Sequence, residues 1–255
     1  MAKSGGSRGR SGRAGRPGRT AKADAASRRT AKPAASRSTP KATARAQQPA
    51  SVDAVPEPMP TVFVLGAVPG ATPGRWIDAW RERMPQTALE LRPIAFATQR
   101  GELASGTLDA ALVRLPISRD GLHVIALYDE SPVVVCSADS HLTAADELEV
   151  ADLAGEILIV PADDVLRPEV PGAVAPSFAV PEDTEQAIAT VAAGVGIVIV
   201  PMSLARLHRR KDTASRPLRD GPVSGVALAW PIERTTPAVE AFVGIVRGRT
   251  PNSSR

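Results

Sequence analysis

The chain has 255 residues, with 31 Lys and Arg against 27 Asp and Glu for a net charge of +4 at pH 7, but this average joins two unlike segments. Residues 1–60 hold 13 basic residues and three acids, Asp24, Asp53 and Glu57, a balance of +10, whereas residues 61–255 carry 18 basic and 24 acidic groups, a balance of −6. The single cysteine, Cys136, excludes an intramolecular disulfide framework, no Cys/His cluster has zinc-ligand spacing, and no apolar run approaches the roughly 20 residues of a membrane helix.

In chain order the basic segment comes first. All eight aromatic residues lie between Phe63 and Phe242, so residues 1–60 have little to bury and are expected to be disordered. A positive start and the Arg28 and Arg29 pair are followed by no apolar stretch of roughly 7 to 15 residues, which argues against an export signal. A reducing, cytoplasmic location is therefore expected, with nucleoid association as an option. Arg8, Arg10, Arg13, Arg16 and Arg19, spaced by small residues, and then Lys22, Arg28, Arg29 and Lys32 form a flexible polycation that can follow a phosphate backbone. Counterion release would drive such binding, and without aromatics for stacking it would be indifferent to DNA sequence. The early part is similar to Arg/Gly-rich nucleic-acid-binding segments. The later part, with TAKPAA and TPKATA, resembles the tails of linker histones. The bland alternatives are a solubilising extension or an arginine-rich product of a GC-rich genome; Lys211 is the only lysine after residue 60. Residues 46–60, with four prolines and little charge, read as an extended linker.

From residue 61 the pattern is that of an α/β fold. Thr61 to Leu65 predicts a first strand, ended by Gly66 and the Pro69-Gly70 turn. Thr72 is the expected N-cap of a helix with Pro73 at its first position, and Trp76, Ile77, Trp80 and Met84 recur at helical spacing until Pro85. Ala88 to Ile94 alternates as a second strand, Thr98 can cap a helix running to Ser105, and Asp109 to Val113 follows as a third strand. This β-α-β-α-β order predicts a parallel sheet. Further strands are expected at His123 to Leu127, Ser131 to Ser137, Ile157 to Val160, Ile197 to Val200 and Gly225 to Trp230. Helices are expected at Glu182 to Ala193, Leu204 to Arg209 and Pro237 to Val246. Gly194 should end a helix at positive φ, and Gly196 should ease entry into the buried strand.

Three segments, RERMPQTALEL, GELASGTLDAALVR and VAAGVGIVIVP, stand in an order that resembles the effector-binding domain of LysR-type transcriptional regulators. The passage ALYDESPVVVCSADSHLTAADELEVADLAGEILIV is similar to that family's "L-x-x-E-x-l-v-l-v … H-P-L" run, with His141-Leu142-Thr143 in place of His-Pro-Leu. The resemblance covers residues 61–248. It implies a type II periplasmic-binding-protein-like fold, two α/β lobes joined by two crossover strands. Lobe one is then 61–128 with 224–249, and lobe two is 129–215. Residues 1–60 form the tail and linker, and 250–255 a disordered C-terminus. Such regulators begin with a winged helix-turn-helix and a linker helix; residues 1–60 lack that periodicity, which puts base-specific readout by this chain in doubt. The resemblance also implies a homodimer.

Ligands of open α/β sheets sit beyond the C-terminal ends of strands, where helix N-termini favour carboxylates. Family effector positions fall after the first two strands, which carries that role to Ala71, Thr72, Thr98 and Gln99, with Arg100 as a weaker candidate. Both threonines have an equally good reading as simple N-caps. Pro161, Ala162 and Thr184 are candidate wall residues from lobe two, and Met202 and Ser203 could face the crossover. No Gly-x-Ser-x-Gly elbow, third dinucleotide-loop glycine or metal cluster is present, so no enzyme, cofactor or metal is expected. Cys136, inside VVVCSA, reads as a small buried hydrophobe. The expected function is a non-catalytic sensor that binds a small organic acid and associates with DNA through its tail, with no membrane partner. The alternative is a nucleoid-associated or partner-binding protein whose effector cleft does not function.

Overall fold

The computed structural model describes residues 60–248; the readings made on residues 1–59, the DNA-contact arginines and lysines among them, and on residues 249–255 lie outside these residues. Two sheets organise the described part. The first has five strands: β1 (Val62–Ala67), β2 (Ala88–Pro93), β3 (Ala110–Arg114), β4 (Leu122–Glu130) and β9 (Ser224–Pro231), in the order β2-β1-β3-β9-β4. The second has four: β5 (Pro132–Ser137), β6 (Leu158–Ile159), β7 (Ile197–Pro201) and β8 (Thr213–Pro217), in the order β6-β7-β5-β8. Helices α1 (Gly74–Arg83), α2 (Gln99–Ala104) and α5 (Pro237–Val246) accompany the first sheet. Helices α3 (Thr184–Ala192) and α4 (Met202–Leu207) accompany the second.

The β1-α1-β2 and β2-α2-β3 units make the expected parallel core: β1 pairs in parallel with both β2 and β3. The complete sheet is mixed, because β9 returns late in the chain and pairs antiparallel with both β3 and β4. In the first lobe Phe63, Trp80 and Phe242 pack ring on ring, with centroids 4.7 to 5.8 Å apart, and join α1 and α5 to one face of the sheet. The Trp80 indole N–H donates to the Thr87 carbonyl at 2.8 Å, so the buried ring leaves no polar orphan. On the opposite face Leu103 of α2 packs with Ile94, Leu108 and Val113. Asp109 accepts from the Val64 N–H at 2.7 Å and lies 3.6 Å from Arg234, which holds the entry to β3 against β1.

The buried core of the second lobe is aliphatic apart from Cys136. Val133, Val135, Val198 and Val200 face Ile188 and Val191 of α3 on one side, and Val134, Cys136, Ile197 and Ile199 face Leu142, Leu153 and Leu166 on the other. Cys136 is fully buried, and that burial pushes its thiol pKa up. Gly194 and Gly196 both have positive φ; a Cβ on Gly196 would run into the Ile157 carbonyl.

Several boundaries differ from expectation for identifiable reasons. Helix α1 begins at Gly74, and its N-cap is Pro73 without a side-chain bond, so the Thr72 hydroxyl does not cap it. Thr98 occupies the N-cap of α2, yet its hydroxyl donates to the Ala95 carbonyl at 3.4 Å and caps nothing. Helix α4 starts at Met202, two residues early. Strand β8 was not foreseen, because TASRP has no apolar alternation; pairing with β5 makes it a strand.

Candidate functional site

The lobes meet around Ser131, the one residue between β4 and β5. Here a cleft of about 630 Å³ opens, a size suited to a small metabolite. Gly70, Ala71 and Thr72 come from the loop between β1 and α1, Glu130 and Ser131 from the crossover, and Met202, Ser203, Arg206 and Leu207 from α4. The first lobe thus supplies a turn and a strand end, and the second supplies one short helix.

Beneath the cleft lies a buried polar hub. Arg114, at the end of β3, is 1% exposed in its side chain and meets Glu130 (10% exposed) at 2.9 Å. Its Nη1 donates to Glu130 Oε2 and to Ser224 Oγ at 2.7 Å, and its Nη2 donates to the Pro69 carbonyl at 3.1 Å and to Ser203 Oγ at 3.2 Å. Ser203 in turn donates to Glu130 Oε2 at 2.7 Å. The pair is tolerable away from water because hydrogen bonds from three further groups surround it. It also links β3, β4 and β9 to α4, so it ties the lobes together. Gly70 has a φ of +84°, and a Cβ there would press on Ser203, Arg114 and Leu204. Only glycine lets this loop lie so close to α4.

Tyr128 stands two residues before Glu130 on β4. Its hydroxyl is buried beside Thr72, whose backbone and side chain are its polar neighbours. Burial first, and then the neighbouring Glu130 charge, raise its pKa above the ordinary value of 10.0.

The residues singled out by sequence fall in four places. Ala71 and Thr72 line the cleft. Gln99 is buried just behind it, where its amide clasps the backbone of Arg114: Nε2 donates to the carbonyl at 3.0 Å and Oε1 accepts from the N–H at 2.9 Å. Thr98 is exposed at the head of α2, and Arg100 donates to the Asp120 carbonyl at 2.6 Å beside a separate depression. Pro161, Ala162 and Thr184 gather in the second lobe outside the cleft lining. There the Ala162 N–H donates to the Pro181 carbonyl at 2.9 Å, and Thr184 donates to Asp163 at 2.8 Å. Met202 and Ser203 do face the crossover: the Met202 N–H donates to the Ser131 carbonyl at 3.1 Å. Sequence reasoning missed Arg114, Glu130 and Arg206. Glu130 stood in view as the acid of the "L-x-x-E" passage, and Arg114 as a charge closing the apolar run AALV. Among the described residues no group of three metal-ligating side chains occurs, and no helix is long and apolar enough to cross a membrane.

Two α/β lobes, joined by two crossovers and enclosing a polar cleft, define a type II periplasmic-binding-protein-like domain. The chain belongs to the LysR family: the model described as "LysR substrate binding domain" matches residues 61–251. Among curated relatives, the Hca operon transcriptional activator HcaR of Escherichia coli K12 is 28% identical over 203 residues, covering 73% of this chain and 67% of its own. The HTH-type transcriptional regulator AlsR of Bacillus subtilis is 30% identical over 188 residues, covering 66% of this chain and 59% of its own. CatR of Pseudomonas putida is 30% identical over 179 residues, with 65% and 61% covered. The chain therefore spans 59 to 67% of the length of these relatives. The fold is also that of oxidised OxyR (TM-score 0.62, 21% identity, 74% of this chain and 94% of that one). The effector-binding domain of BenM with benzoate shares it as well (TM-score 0.60, 21% identity, 73% and 90% covered). The domain is thus the effector-binding part of a LysR-type regulator, a family of transcriptional regulators.

Proposed function

We propose that this chain is a sensor in which a small anionic metabolite binds the cleft at Ser131 and shifts the balance between two arrangements of the lobes. The observation that carries the reading is the cleft itself, polar at its floor, with Arg206 exposed on its wall and in no ion pair among the described residues. Ala71 and Thr72 contact the ligand directly, and Gln99 acts through the Arg114 backbone it holds. Thr98 and Arg100 flank the site, while Pro161, Ala162 and Thr184 shape the edge of lobe two. The relative BenM was crystallised with benzoate, which fits a carboxylate class. A ligand can move the equilibrium only by binding one arrangement better than the other. Thermal denaturation against a panel of small carboxylates tests this, since a ligand at 100 times its Kd stabilises by about 2.7 kcal/mol. A panel without any stabilising member overturns the reading.

The output on DNA runs through residues 1–50, with Arg8, Arg10, Arg13, Arg16, Arg19, Lys22, Arg28, Arg29 and Lys32 as phosphate contacts. Two such segments per homodimer raise avidity. Full-length protein should bind unrelated DNA sequences with a steep salt dependence, and a chain beginning at Ser51 should not, while keeping its fold and dimerisation. Equal retention by the shortened chain sinks this part. The +10 balance of residues 1–60 against −6 for the remainder favours one second reading, a nucleoid-associated protein whose cleft is idle. Salt-dependent DNA binding together with an empty ligand screen would select it.

A further inference from the structure

The hub beneath the cleft restricts what a ligand can offer. Resting on the reading of this cleft as the effector site, we infer that its ligand is a hydroxylated carboxylate whose hydroxyl donates to Glu130 and whose acid end faces Arg206. The argument is one of satisfiability. The two terminal nitrogens of Arg114 carry four N–H groups, and four acceptors take them: Glu130 Oε2, Ser224 Oγ, the Pro69 carbonyl and Ser203 Oγ. With its side chain 1% exposed, Arg114 has no terminal donor left for a ligand anion. The buried cation of this site is spent internally.

Glu130 is the opposite case. Its Oε2 accepts from both Arg114 and Ser203, whereas Oε1 has no hydrogen bond among the described residues, and Glu130 lines the cleft. An ionised carboxylate only accepts, so the ligand atom that meets Oε1 must be a donor, and a ligand carboxylate there would be repelled. An ammonium is a poor candidate, because the Glu130 charge is already matched by Arg114 at 2.9 Å and a second cation would face that guanidinium. A neutral hydroxyl satisfies the acceptor without adding charge. With the buried pair cancelling itself, Arg206 is the remaining formal charge of the lining and selects an anion. Ala71, Met202 and Leu207 provide the apolar wall for the carbon skeleton between the two ends.

The test uses the full-length protein and matched acids: lactate against propionate, malate against succinate, and hydroxybenzoates against benzoate, together with the methyl ether of each hydroxylated member. Binding is read by calorimetry and thermal shift. The expected result is that at least one hydroxylated acid binds about tenfold or more tightly than its plain partner and its methyl ether, since a hydrogen bond to a charged acceptor is of that size. Met202→Trp, which fills the cleft, should abolish that binding, and Glu130→Gln, which can turn an amide N–H toward the ligand, should erase the preference over the methyl ether, because a hydroxyl and an ether oxygen accept from that N–H alike. The methyl-ether comparison needs no variant, so the inference stays testable if Glu130→Gln does not fold. Plain acids that bind as well as their hydroxylated partners overturn this inference and leave the effector reading standing. If no acid of either kind binds, both fall.

Discussion

The two lobes share an architecture but not a core. Lobe one is locked by Phe63, Trp80 and Phe242 stacked between sheet and helices, whereas the buried clusters of lobe two contain only aliphatic side chains, Ala187 and Ala205, and Cys136. The charged hub follows the same division. Arg114, Glu130 and Ser224 belong to strands of the first sheet, in which β4 carries lobe one on to Glu130, two residues past the expected bound at 128, and lobe two contributes Ser203 alone to the hub among the described residues. A site built this way has one fixed side and one side that can move at the cost of a few hydrogen bonds. A ligand seated between the two sides can favour one arrangement only if its contacts differ between the arrangements.

The largest test of the contrast is Phe242→Ala, expected to cost about 3–5 kcal/mol in chemical denaturation, because neither Phe63 nor Trp80 can collapse into the space left. In lobe two Ile188→Val should cost only about 0.5–1.5 kcal/mol; an equal loss there breaks the distinction between locked and adaptable cores. Next comes the hub. Arg114→Met should cost about 3–5 kcal/mol by leaving the Glu130 carboxylate buried without its partner, and adding Glu130→Leu should recover most of it, as a double-mutant cycle would show. Ser203→Ala, which removes the link from lobe two while sparing the ion pair, should cost about 1.5–3 kcal/mol and make the amides around Met202 exchange faster. Asp183→Ala removes the side chain that caps α3 through the Gln186 N–H and should cost about 0.5–2 kcal/mol, confined to lobe two.

The smallest effect reports on the strand end beside the cleft. Tyr128 is the only tyrosine, so tyrosinate absorbance follows it alone. Its folded pKa is raised above 10.0, first by burial and then by Glu130. The unfolded chain therefore ionises first, and the contribution to stability, fully present below pH 10, is lost as pH rises through the folded value. A titration midpoint at or below 10 in the folded protein would contradict the burial described here.

Much of this was legible in the sequence wherever one element carries its own signal. Pro237 to Val246 is a helix at the predicted bounds, with Thr236 accepting from the Val239 N–H at 3.3 Å. The Trp76 to Met84 stripe also marked α1. Strand β8 was hidden because its half-buried TASRP has no apolar period, and its identity comes from pairing with β5. The site was half legible for the same reason. The family resemblance, read onto the loop after the first strand, led to Ala71 and Thr72, and both line the cleft. The Arg114–Glu130 contact joins residues 16 apart on different strands, completed by Ser203 and Ser224, and no window of sequence contains it. Thr72 shows the remaining ambiguity: one hydroxyl suited both a cap and a ligand contact, and the start of α1 at Gly74 removes the cap.

The chain leaves lobe one after β4 and comes back to it only at β9. That return sets an order of assembly. During synthesis the strands β1 to β4 emerge without the one that pairs with both β3 and β4, and without the Phe242 that completes their aromatic cluster. Lobe two, whose strands lie in one unbroken stretch from Pro132 to Pro217, holds all its own sheet partners earlier. The N-terminal part of the domain is therefore expected to wait, its sheet incompletely paired and covered, until β9 and α5 leave the ribosome. In a nascent chain lobe two should close its sheet first and lobe one last.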